Sequence, residues 1–112
     1  MNIGPTEQMV LLATLALHPD GYGVSIQEHI AQRTGQELAI GSIYAALERL
    51  EEKGFVKSRQ GEKTAARGGR RKLHFMVTAT GHRTLQESLK AISSLQRGLR
   101  WGEAPRPAGA FA

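Results

Sequence analysis

The chain has no cysteine, which excludes disulfides, thiolate zinc sites and cysteine nucleophiles. The apolar run from Met9 to Leu17 is far too short to cross a bilayer. The N-terminus has neither the basic region nor the cleavage pattern of a secretory signal. These absences lead us to expect a soluble, cytoplasmic protein with no membrane partner. The histidines His18, His29, His74 and His82 show no metal-ligand spacing, so no metal is expected. There is no carboxylate pair of obvious acid–base geometry, no glycine-rich phosphate loop opening a helix and no cofactor motif. The expectation is a protein that is not an enzyme and uses no cofactor. No internal repeat is visible.

What is present is positive charge, concentrated in one place. The 112 residues carry a net charge of +5. Residues 57–72 hold Lys57, Arg59, Lys63, Arg67, Arg70, Arg71 and Lys72 against Glu62 alone, a local surplus of six, so the remainder of the chain is close to neutral at −1. A surface that served only solubility would mix both signs. A patch of one sign points to a polyanion such as nucleic acid or, less often, to an anionic membrane surface.

The length suits one domain able to bury a core without staples. A first helix is expected over 5–18: Pro5 fits its first position, Glu7 suits its first turn, and Pro19 forbids continuation. Met9, Val10, Leu12, Ala13, Leu15, Ala16 and Leu17 cover much of its circumference, so it should be largely buried between two apolar neighbours. Asp20-Gly21 reads as a turn. A second helix follows from Tyr22 to Thr34 with Tyr22, Ile26 and Ile30 inward, and Leu38 to Ile40 reads as an extended link.

The most informative stretch is Gly41 to Gly54. Ile43, Ala46, Leu47 and Leu50 recur at three- and four-residue steps and share one face, while Ser42, Ala45, Arg49 and Glu52 fall opposite. Gly54 stands where a left-handed helix end is expected. Phe55–Gln60 then reads as a strand, 61–71 as a turn-rich segment, and Leu73–Thr78 as a second strand with Leu73, Phe75 and Val77 alternating against His74 and Met76. Thr78 is a good N-cap for a last helix running to about Leu99. In that helix Leu85, Leu89, Ile92, Leu95 and Leu99 form one apolar stripe. The helix is longer than the small core beneath it can cover, so the stripe is expected to pair with a second copy.

The fold class that follows is mainly α with a small β-hairpin: a winged helix-turn-helix over 1–77, a dimerisation helix over 78–101 and a disordered tail over 102–112. A helix with small residues and one arginine outward, followed by a basic hairpin, is the arrangement that enters a DNA major groove.

The stretch from Gly41 to Val56 resembles the third helix of the PadR-like winged-helix transcriptional regulators. Gly69 to Gly81 resembles that family's wing strand and its link into the C-terminal helix, and Tyr22-Gly23 resembles the start of its second helix. Ala45 stands where the family commonly has proline, and Phe75 where tyrosine is usual. The short C-terminal helix resembles the compact subfamily. The resemblance implies a homodimer on a roughly palindromic operator of double-stranded DNA, usually repressing, with an effector that alters the spacing of the two reading heads.

The expected DNA contacts are Ser42, Tyr44, Ala45 and Arg49 on the helix and Lys63, Arg67, Arg70, Arg71 and Lys72 on the wing. Several have a structural counterpart: Ser42 as a helix cap, Tyr44 as partial core, Arg49 paired with Glu48 or Glu52, and Arg67, Arg70, Arg71 and Lys72 as a solvated basic loop. Trp101 could line an effector pocket or cover an interface. The rival to DNA binding is a winged-helix protein-interaction module, against which the localised charge argues.

Overall fold

A computed structural model describes residues 3–63 and 71–105. The elements run α1 (Pro5–Ala16), β1 (Gly21–Tyr22), α2 (Gly23–Thr34), α3 (Ile40–Glu52), β2 (Val56–Lys63), β3 (Arg71–Val77) and α4 (Ala79–Gln96). The strands form an antiparallel sheet in the order β1-β3-β2.

Three helices pack over this sheet around one apolar core. Val10, Leu11 and Ala13 of α1 meet Ile26 and Ile30 of α2 and the α3 stripe of Ile43, Ala46, Leu47 and Leu50. Phe55, Val56 and Phe75 close the sheet side. Phe75 lies on the central strand, with Gly21 on one side and Ser58 on the other. Its burial follows from the period-two alternation that turns His74 and Met76 the other way.

The start of α1 at Pro5 is as expected, but its last residue is Ala16, because Leu17 to Pro19 already form a turn. Leu12 remains 41% exposed, so α1 has one apolar flank that this chain does not cover. Gly21 and Tyr22, expected as a turn and a helix start, form β1 instead. Tyr22 is consequently half-buried and lies edge-on to the His74 ring at 5.8 Å. The link before α3 contains no strand: Ala39 is the N-cap and Ile40 is already helical.

α3 ends as its sequence requires. Gly54 has φ +78°. The Phe55 N–H donates to the Leu50 carbonyl at 2.9 Å and the Gly54 N–H to that of Glu51 at 3.0 Å, the paired closure that a left-handed glycine permits. This corner also seats α4. The Thr78 hydroxyl donates to the Gly54 carbonyl at 2.7 Å and accepts from the Gly81 N–H at 3.0 Å, which makes Thr78 the expected N-cap. Gly81 packs directly on the Phe55 carbonyl, where any Cβ would collide.

Both strands of the hairpin extend further than expected, to Lys63 and from Arg71, with an irregularity between Gln60 and Lys63. α4 ends at Gln96 rather than near Leu99. No helix among the described residues is long and apolar enough to cross a membrane. The segment 106–112 of the expected tail lies outside the described residues; Trp101–Pro105 contain neither helix nor strand.

Candidate nucleic-acid interface

The rotation of α3 follows from its buried stripe. With Ile43, Ala46, Leu47 and Leu50 in the core, Gly41, Ser42, Arg49 and Glu52 are exposed and Ala45 is half-buried. Ser42 is the third residue of the helix and therefore does not cap it. Two contacts from α2 set the seat of the helix. The Tyr44 phenol lies over Gly23, so closely that a Cβ at Gly23 would overlap the ring. The ring is still 40% exposed. The Gln27 side-chain amide donates to the Leu38 carbonyl at 2.8 Å and holds the α2–α3 link.

A buried carboxylate secures the other end of α3. Glu7 Oε1 accepts from the Gly4 N–H at 2.9 Å, and Oε2 accepts from Lys53 Nζ at 2.7 Å. Arg49 Nε stands 3.8 Å from the same Oε2, close enough for an ion pair but too long for a hydrogen bond. Burial raises the Glu7 pKa, but the Gly4 N–H, the Lys53 ammonium and then the Arg49 guanidinium together outweigh it and hold the carboxyl below its ordinary value. The partner of Arg49 is thus Glu7 on α1, not Glu48 or Glu52. About half of the Arg49 side chain (51%) stays open to solvent.

The root of the wing is tied to β1. Arg59 donates to Asp20 Oδ1 at 2.7 Å, and His74 Nδ1 lies 3.0 Å from the Asp20 carbonyl. The Arg59–Asp20 pair is exposed on both sides and contributes about 0–1 kcal/mol. Ser58 donates to Glu51 from both its N–H and its hydroxyl, at 3.2 and 2.7 Å, which engages that carboxylate with the wing.

The structure therefore brings Ser42, Tyr44, Ala45 and Arg49 onto one accessible side of α3. Lys63 and Arg71 sit opposite each other in the strand register, with Lys72 next in β3. The expectations for Arg67 and Arg70 lie outside the described residues. The α4 stripe divides. Leu85 is 2% exposed and belongs to the chain's own core, and Leu89 packs against that core, which is a correction to their assignment as purely intermolecular contacts. Ile92, Leu95 and Leu99 are 42%, 80% and 56% exposed, and Trp101 is 76% exposed.

Sequence reasoning took Glu7 only as a favourable first-turn acid and gave Asp20 and Arg59 no joint role. An acid within an apolar helix was the available signal for Glu7. The Asp20–Arg59 pair spans 39 positions and had none. No group of three or more histidine or acidic side chains that could hold a metal occurs among the described residues.

Residues 11–87 match the Transcriptional regulator PadR-like family. A Lysinibacillus sphaericus protein known only as uncharacterized is 32% identical over 82 residues, covering 71% of this chain and 72% of its own. Among solved structures, a PadR family transcriptional regulator from Eggerthella lenta superposes with a TM-score of 0.68 at 22% identity, covering 81% of this chain and 77% of its own. A transcriptional regulator from Clostridium thermocellum does so with a TM-score of 0.67 at 22% identity, covering 81% and 85%. At such identities the two structures establish the fold.

Proposed function

Because the chain belongs to the PadR-like family of transcriptional regulators, we propose that it is a repressor that binds a roughly palindromic DNA operator as a homodimer. The observation that carries this reading is the open side of α3, where Ser42, Tyr44, Ala45 and Arg49 are presented while the opposite side fills the core. α3 enters the major groove of each half-site, and Ser42 and Arg49 supply its polar contacts to base edges and phosphates. The wing segment, with its surplus of six positive charges, lies on phosphates or in the minor groove through Lys63, Arg67, Arg70, Arg71 and Lys72.

Ile92 and Leu95 of α4, with Leu99 just beyond its end, pair with a second copy, which places two α3 helices about a two-fold axis. A small-molecule effector, where one acts, does so by changing their separation. The test is selection of bound duplexes from random DNA. Palindromes with half-sites about one duplex turn apart, or a multiple of it, are the expected result. Recovery of no shared sequence, or of single unpaired sites, overturns the proposal.

A further inference from the structure

Glycine is among the poorest helix formers, so a helical glycine calls for a reason. Three lie in the described helices: Gly23, Gly41 and Gly81. Gly23 is required by the Tyr44 ring and Gly81 by the Phe55 carbonyl, since a Cβ at either would collide. Gly41 has no such neighbour: a Cβ there meets nothing within 4 Å. Its φ is not left-handed either; among the described glycines only Gly35, Gly54 and Gly98 have positive φ. The fold therefore accepts a side chain at Gly41 and gains helix stability from one.

The location suggests what excludes it. Gly41 is exposed in the first turn of α3, and its position on the helix is close to diametrically opposite the Ile43, Leu47 and Leu50 stripe. Ala45 stands one turn further along the same ridge. The flanks of this ridge are Ile40 and Tyr44, 38% and 40% exposed, and Ser42. No charged side chain occurs on α3 before Glu48. An outermost ridge of glycine and alanine lets the helix backbone come closer to a surface than any larger residue would. The absence of charge from its first two turns suits the floor of a groove rather than a phosphate chain, and Glu48 and Glu52, which continue this side of the helix beyond Ala45, mark where the groove must end.

We infer that Gly41 is a specificity-determining residue, kept free of a side chain by close approach of base-pair edges in the DNA major groove. This rests on the proposed operator binding and extends it to a residue that neither charge nor hydrogen bonding marks. A local choice that weakens the helix without serving the fold is expected where a ligand sets the requirement.

The test compares the wild-type protein with Gly41→Ala and Gly41→Val, using a duplex recovered by selection with the wild type and a scrambled duplex of equal length. Gly41→Ala is expected to raise Tm by roughly 1–4 °C and to weaken binding to the selected duplex about tenfold or more. Binding to the scrambled duplex at low salt should stay within about twofold, and Gly41→Val should lose more of the selected binding than Gly41→Ala. Unchanged affinity of Gly41→Ala for the selected duplex overturns the inference. Equal losses on both duplexes also overturn it, because they assign Gly41 to the phosphate chain. A fall in Tm overturns it as well, since the fold would then be what requires glycine. If the wild type selects no sequence at all, the operator reading fails first and this inference with it.

Discussion

At the scale of single residues, Glu7 joins stability to the exposed side of α3 through Arg49. Its carboxylate is buried, accepts from Gly4 and Lys53, and faces Arg49 across 3.8 Å. Its pKa is held below the ordinary glutamate value of about 4.3. The stabilisation is therefore fully present above that value and is lost as pH falls through the lower, folded-state pKa. Glu7→Gln should cost about 1–3 kcal/mol at neutral pH, because it removes the negative charge that faces the Lys53 ammonium at 2.7 Å and the Arg49 guanidinium at 3.8 Å. It should also flatten the decline of Tm below about pH 4.5. Thermal unfolding from pH 7 to pH 3 checks both; parallel acid limbs for the two proteins would show that Glu7 does not carry this dependence. Gly54 offers a purely conformational comparison. At φ +78° the change Gly54→Ala should destabilise by about 1 kcal/mol, a fall of roughly 4–8 °C in Tm. An unchanged melting curve would mean that the corner relaxes without its glycine.

At the scale of elements, α4 has two parts with different surroundings. Leu85 anchors the first part in the core, and burying such a side chain contributes roughly 1.5–3 kcal/mol. The Thr78 cap and the close fit of Gly81 on Phe55 fix where the helix points. Beyond Leu89 every described residue is exposed. Eighteen helical residues span about 27 Å, further than the core beneath them extends. Under the proposed dimer, the double variant Ile92→Asp, Leu95→Asp should sediment as a monomer at concentrations where the wild type is a dimer, with its helical signal largely kept. A double variant that still sediments as the wild type does would move the contact elsewhere, with the exposed Leu12 flank of α1 as the next surface to test.

At the scale of the whole molecule, charge and shape act together. The positive surplus lies in residues 57–72, while the rest of the chain is nearly neutral, so association with DNA should be governed by counterion release at the wing. If the dimer makes roughly six to ten phosphate contacts, raising salt from 50 to 200 mM weakens binding by about 10³–10⁵. Arg70→Ala with Arg71→Ala should reduce that salt slope and weaken all sequences alike, whereas Arg49→Ala should mainly alter which sequences are preferred. Titrations of one selected duplex across that salt range separate the two. A slope unaffected by loss of both wing arginines would remove the wing from the contact. These variants also address the rival interaction-module reading, under which DNA affinity would be low from the start.

The sequence by itself determined the four helices, the hairpin and the outward side of α3. Each of these is encoded within a few residues: a 3.6-residue apolar period for α3, Pro5, Gly54 and Thr78 as boundary signals, and strict alternation around Phe75. Contacts that join distant parts of the chain carry no such local mark. Only the tertiary structure decided that Gly21 and Tyr22 add a third strand beside Phe75 and His74. It likewise decided that Arg49 turns to Glu7 on α1 and that Leu85 belongs to the chain's own core. The physical reason is the same in each case. Periodicity determines which side of an element is apolar, while the partner that covers that side depends on how the elements pack.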